Sequence, residues 1–268
     1  MIHPLRPLLG AVALPLLAAC AVVPGPPTAG LPDRPEAFLD RLAADEAAVS
    51  TVRGLASVRY EGPAGKGSAT QVIVVALPDR ARLEALSPLG TAVFLLAIRG
   101  DDLTVYAPAR HEYGVGRATR ETLGRLARVP IPPGPLLRLL AGLPPLPIRP
   151  GDPRVQLAVE AAAIRVESVD GPFWQRVWSG PDGVAPERGE LGEAGALLLT
   201  FEFGERRRLN GVAFPFAVRL EEVTAGTHLA IQYETVRLNE PVEAGLFELP
   251  RPADGGTRII DLGAAPLP

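Results

Sequence analysis

The sequence predicts a mainly β fold with a few helices, built on antiparallel strands. Three observations predict it. From Val52 onward, apolar residues recur at every second position, the period of a strand with one face buried. The segments so defined are joined by turns of a few residues, which makes an antiparallel meander. Between two groups of such segments lies a Pro-rich apolar stretch with room only for short helices. These helices are too short and too apolar to stand alone in water, so they are expected to lie over one face of the sheet.

Composition sets the bounds. The chain has 268 residues, 47% of them hydrophobic, which is ample for a core and excludes a disordered chain. A formal net charge of −3 gives no electrostatic case for nucleic-acid binding. A single cysteine excludes internal disulfides, so packing must supply the stability. Thirty Pro and 28 Gly agree with many turns and some stiff linkers.

The first element is a targeting segment. Arg6 precedes an apolar run from Leu8 to Leu17, and small residues follow at Ala18 and Ala19. These are the marks of a secretory signal peptide, and the run is too short to span a bilayer, which needs about 20 apolar residues. The next residue, Cys20, is the only cysteine in the chain. Leu17-Ala18-Ala19-Cys20 resembles a bacterial lipobox, where the thiol is lipidated and the signal is cut in front of it. An ordinary signal peptide with an incidental cysteine is the alternative, but a lone cysteine in a secreted chain asks for an explanation. The expected organisation is therefore a signal peptide at 1–19, a lipidated Cys20 with a Pro-rich tether at 20–35, and one domain at 36–268. Ala21 rather than Asp after the cysteine suits sorting to the outer membrane, on the periplasmic side, in a two-membrane bacterium. Pro24, Pro26, Pro27, Pro32 and Pro35 make the tether an extended, semi-rigid spacer.

A helix is expected from Glu36 to Ser50, with Phe38, Leu39, Leu42 and Val49 as its apolar stripe. Strands follow. Val52, Ala56, Val58 and Tyr60 share one face of the first, which ends in a turn at 62–67. The next strands are Ser68–Leu77, Ala81–Leu86, Thr91–Arg99, Leu103–Ala107 and Glu112–Arg117. Thr119 can cap a helix carrying Leu123 and Leu126. Leu136–Leu140 lies between two Pro-rich stretches. Strands resume at Ala162–Val169, Trp174–Ser179, Leu197–Phe203, Phe216–Val223 and His228–Leu238, with Val184–Ala194 as a loose polar connection. A last strand at Ile259-Ile260 is possible on the same reasoning.

Two stretches carry a family resemblance. Ala85-Leu86-Ser87-Pro88-Leu89-Gly90-Thr91 resembles the Asn-Pro-Leu-Gly turn of LolB, the outer-membrane receptor for lipoproteins, with Ser87 in place of Asn. Leu126 to Pro144, with Val129-Pro130-Ile131-Pro132 and Leu139-Leu140-Ala141-Gly142-Leu143-Pro144, resembles the same family's Pro-Ile-Pro and Leu-Gly-Leu-Pro stretches. Both fall in the family's order and spacing, within Arg53 to Glu222. The C-terminus, from Asn239-Glu240-Pro241 to Ile259-Ile260-Asp261, departs from LolB and looks more like the end of the periplasmic carrier LolA.

The resemblance implies an incomplete, curved antiparallel β-barrel lidded by short helices. Its cavity would take the acyl chains of lipoproteins, or another lipid, and a LolA-like carrier is the implied partner. It would also help insert its cargo into the outer membrane, with Pro88, Leu89 and Gly90 as the insertion loop. Val58 and Tyr60 would line the cavity. Leu136, Leu137, Leu139 and Leu140 are read as lid or as plain core, and Trp174 and Trp178, which share a strand face, as cavity lining or core filling. The alternative function is a structural or envelope-assembly lipoprotein that uses the fold for protein contacts.

No catalytic pattern competes. His3, His111 and His228 are the only histidines, and no H-E-x-x-H, G-x-S-x-G or phosphate-loop motif occurs. Gly65-Lys66-Gly67 and Gly114-Val115-Gly116 lack the rest of a nucleotide fingerprint. A non-enzymatic protein without cofactor or metal is expected.

Overall fold

The computed structural model describes residues 34–263, apart from residues 64, 128, 129, 161, 162, 182, 184 and 254. The expected signal peptide, Cys20 and the expected tether up to residue 33 lie outside the described residues.

Helix α1 (Glu36–Ala48) leads into a meander of β1 (Thr51–Gly62), β2 (Gly65–Ala76), β3 (Arg80–Leu86), β4 (Ala92–Arg99), β5 (Asp102–Ala107) and β6 (Glu112–Arg117). Helices α2 (Arg120–Ala127) and α3 (Pro133–Leu140) follow. The second meander is β7 (Gln156–Glu160), β8 (Ala163–Asp170), β9 (Phe173–Ser179), β10 (Pro186–Glu193), β11 (Ala196–Leu209), β12 (Val212–Glu222) and β13 (Thr227–Leu238). A further strand, β14 (Arg258–Asp261), follows near the end of the described residues.

Among the described residues these strands form one sheet, in the order β14-β6-β5-β4-β3-β2-β1-β13-β12-β11-β10-β9-β8-β7. The two meanders join where β1 pairs with β13, Val52 opposite Leu238 and Glu61 opposite His228. The sheet is curved and does not close, so β14 and β7 remain its two edges. Register shifts at Leu55/Ala56, Ala85/Leu86 and Leu191/Gly192 add local bend.

The crossover between the meanders runs over the concave face. It carries α2 and α3, and its apolar side chains complete the main core. Leu123, Ile131, Leu137 and Leu139 pack there with Phe38 and Leu42 of α1 and with Ile73, Ile98, Val166, Val177 and Phe201 of the sheet. Segment 242–249 instead lies on the convex side: Phe247 packs against Val74 and Ala76, and Leu249 against Ala97 and Tyr113.

Local chemistry explains the helix ends. The Thr119 hydroxyl accepts a hydrogen bond from the backbone N–H of Thr122 at 3.2 Å, an N-terminal cap for α2. Pro133 and Pro135 occupy the first turn of α3, where a missing N–H costs nothing. Gly142 ends that helix at φ +73°, with its N–H on Leu139 O and the Leu143 N–H on Arg138 O. Asn239 ties the end of β13 to the α1–β1 corner. Its Oδ1 accepts from the Ser50 N–H at 2.9 Å, and its Nδ2 donates to Ala48 O at 2.7 Å.

Several expectations need correction. The polar stretch at 184–194 contains a strand, β10, in the middle of the second meander. β7 is an additional edge strand. The turn expected at 62–67 is a two-residue connection, because β1 and β2 stay paired to Gly62 and Gly65. β11 runs to Leu209, well past Phe203.

Among the described residues, the Gln175 side chain is fully buried in this framework. Gln175 accepts from the Leu146 N–H at 2.9 Å and donates to Leu146 O at 2.8 Å and Ser168 Oγ at 2.9 Å. Replacing it with Leu orphans a buried backbone N–H. The expected cost is about 2 kcal/mol, read as a lower urea midpoint with an unchanged m-value.

Candidate functional site

An apolar cavity of about 320 Å³ lies between the concave face and the helices. Val58, Ile73, Leu83, Phe94, Leu96 and Ile231 supply its sheet wall, and Leu126, Leu136 and Leu140 its helical cover. Tyr60, Ser68, Ala69 and Gln71 line it toward the β1–β2 hairpin. The strand alternation read from sequence accounts for this wall: one residue in two faces inward, and on β1 to β4 those residues are mostly aliphatic.

The cover comes from two differently held helices. In α3, Leu136 and Leu140 are four residues apart and face the cavity, whereas Leu137 and Leu139 are fully buried in the core behind it. So the four leucines divide two and two. The α3 helix is firmly held. The buried Tyr233 hydroxyl donates to Leu140 O at 2.7 Å, and burial pushes its phenol pKa upward, so it keeps that proton. Arg138 donates to both Glu46 oxygens at 3.2 and 3.1 Å, and also to Pro144 O and Leu146 O. Among the described residues, the cover from α2 is the Leu126 side chain.

Trp174 and Trp178 do not line the cavity. They share a face, but it is the convex one. Arg176 stacks on Trp174 at 4.8 Å, and Arg188 on Trp178 at 4.3 Å, while the Trp178 indole N–H donates to Glu160 at 3.0 Å. The inward positions of β9 are Phe173, Gln175, Val177 and Ser179. Neither cavity lining nor core filling holds for the two tryptophans, because the polar Gln175 is turned inward and held there by Leu146.

The Ser87-Pro88-Leu89-Gly90 turn projects from the β3–β4 end of the cavity wall. Ala85 and Phe94, paired across these strands, both line the cavity. Gly90 closes the turn at φ +80°, donating to Ser87 O at 2.9 Å. The Ser87 hydroxyl accepts from the Leu89 and Thr91 N–H groups at 3.3 and 3.2 Å, as a turn Asn side chain would. Leu89 at the tip is 93% exposed.

Gly114 and Gly116 have a structural use. A Cβ on either would stand 2.7 Å from the side chain of Leu262, which is fully buried there. Among the described residues no group of three or more His, Cys, Asp or Glu is placed to hold a metal ion. Nor is any described helix long and apolar enough to cross a membrane.

No protein-family model matches this chain, and no curated protein matches it. Solved structures share its fold. A DUF1329 family protein from Desulfovibrio piger superposes with a TM-score of 0.57 at 13% identity, over 81% of this chain and 98% of that one. A LolA superfamily protein from Nitrosomonas europaea gives 0.53 at 15% identity, over 80% and 97%. A domain from Vibrio parahaemolyticus, described as an outer membrane lipoprotein-sorting protein, gives 0.51 at 13% identity, over 80% and 97%. The architecture is thus the curved, unclosed antiparallel half-barrel of the LolA superfamily fold.

Proposed function

We propose that this chain is an outer-membrane-anchored lipoprotein that binds acyl chains of lipoproteins, or another lipid, in its half-barrel and helps insert them into the membrane. Cys20 carries the anchor, residues 20–35 the tether, and 36–268 form one lipid-binding domain. A LolA-like periplasmic carrier is the donor in this reading. The observation that carries it is the apolar cavity under the α2 and α3 cover. At about 320 Å³ it falls near the lower bound of ligand cavities, roughly 300–1,000 Å³. That volume suits one acyl chain rather than several. Burying about ten methylenes contributes roughly 8 kcal/mol before the entropic cost of association.

Leu89 is the membrane-contacting residue in this reading. Moving an exposed Leu side chain from water into lipid contributes roughly 1.5–3 kcal/mol, and Leu89 is already exposed on a turn continuous with the cavity wall. Leu89→Glu is expected to slow delivery of bound acyl cargo to vesicles at least tenfold. Cargo affinity and folding stability should stay within about 0.5 kcal/mol of wild type, as for other surface substitutions.

Native mass spectrometry of the protein purified from bacterial cells under mild conditions tests the reading directly. Added mass matching a fatty acid, phospholipid or acylated peptide is expected. A bare mass that takes up no added fluorescent fatty acid would sink it and leave the structural-lipoprotein alternative.

A further inference from the structure

We infer that the C-terminal strand is a clasp that sets the position of α2 over the cavity. This rests on the lipid-cavity reading for its purpose, but not for its geometry. Helix α2 is held at both ends by arginines that reach opposite arms of the open sheet. Near its start, Arg120 pairs with Glu193 at the end of β10, and its Nε donates to Pro130 O at 2.8 Å. Near its end, Arg125 donates to the backbone carbonyl of Leu262, just past β14. The residue after Arg125 is Leu126, whose side chain lines the cavity.

The far side of this link is built to hold. β14 is the one parallel strand in the sheet of described residues, and it lies at the β6 edge. Four residues of parallel pairing make a weak attachment by themselves. Leu262 strengthens it. Its N–H donates to Val115 O at 2.8 Å, and its side chain is buried in the space above Gly114 and Gly116. Arg258 pairs with Glu112 at the other end of the strand. Upstream, Tyr113 Oη donates to Leu249 O at 2.6 Å, and Arg99 pairs with Glu248, which brings segment 246–249 along the convex side toward the same edge.

The parts therefore act in series. Leu262 seated over the two glycines presents its carbonyl to Arg125, Arg125 holds the end of α2, and α2 holds Leu126 against the cavity. Release of Leu262 frees one end of the cover while Arg120 and Glu193 keep the other, so α2 pivots instead of detaching. With α2 in place the cavity admits one chain, and the pivot admits a bulkier cargo.

Gly116→Ala probes the clasp without touching α2, because the atoms nearest the added Cβ belong to Leu262 and Gly263. Leu262→Ser and Arg125→Gln break the next two links. Hydrogen exchange on the full-length protein in uncharged detergent micelles should show α2 amides exchanging at least tenfold faster in all three variants, with β1–β3 unchanged. A dansyl-labelled fatty acid should leave these variants at least tenfold faster than wild type. α2 protection that stays at the wild-type level in both Leu262→Ser and Arg125→Gln overturns the clasp. A wild-type protein that binds no fatty acid, while α2 still loosens in the variants, overturns the lipid reading and leaves the clasp standing.

Discussion

Ala85→Trp should abolish acyl binding while leaving the sheet intact. Ala85 points into the cavity from β3, opposite Phe94 and close to Leu83 and Leu96. An indole at this position grows into empty volume instead of into packed neighbours, so the strain that accompanies overpacking is small. It fills much of the roughly 320 Å³ that a chain would occupy. Affinity for a fluorescent fatty acid is expected to fall at least 100-fold, equivalent to about 2.7 kcal/mol, in a direct titration. The thermal midpoint should stay or rise, because filling a void restores lost contacts. Unchanged affinity in a well-folded variant would place the ligand somewhere else.

Arg138→Met should be the most destabilising of the substitutions considered. Its guanidinium joins α3 to α1 through Glu46 and also satisfies the carbonyls of Pro144 and Leu146. Methionine leaves Glu46 partly buried, with the Ile148 N–H at 3.1 Å as its remaining partner. Breaking one side of such a pair costs about 3 kcal/mol, which lowers the thermal midpoint of a domain this size by roughly 10 °C. The double variant Glu46→Leu with Arg138→Met should recover most of that loss, since the uncompensated charge is then gone. Calorimetry on both variants checks it. A single variant as unstable as the double would mean that packing, not charge, is what Arg138 contributes.

Much of the fold was legible because β-structure writes itself as a period of two. The first meander, the crossover and the long strands of the second meander all carry that period or its interruption. β10 did not. Pro186, Glu187, Arg188, Gly189, Glu190, Gly192 and Glu193 read as a polar loop, yet two of its glycines are seats for aromatic rings. A Cβ at Gly189 would lie 2.2 Å from the Phe201 ring, and one at Gly192 2.2 Å from Trp174. The signal for that strand therefore sits in its neighbours' side chains. β7 was missed for a different reason: it is short, and its outer residues are exposed at the sheet edge.

For the site, strand periodicity puts Val58 and Tyr60 on one face and the turn puts Leu89 at an exposed tip, whereas Leu136 and Leu140 are read as lid together with Leu137 and Leu139, which belong to the core instead. Leu126, Ile73, Leu83, Phe94 and Leu96 share the cavity, and the alternation along their strands and helix was the available signal. Leu262 could not be chosen. Its burial depends on two glycines far away in sequence, and no local pattern announces a partner on another strand.

The pairing of β1 with β13 has a temporal consequence. The strand at residues 51–62 finds one neighbour at once, in the hairpin with β2, but its other neighbour is residues 227–238. A chain delivered from its N-terminus therefore carries a half-satisfied β1 until nearly all of it has arrived. Closure across so long a loop is entropically slow. The first meander therefore cannot complete the concave core before the second meander is present to supply Val166, Val177 and Phe201. Completion of the core is thus timed by topology to the arrival of the last long strand.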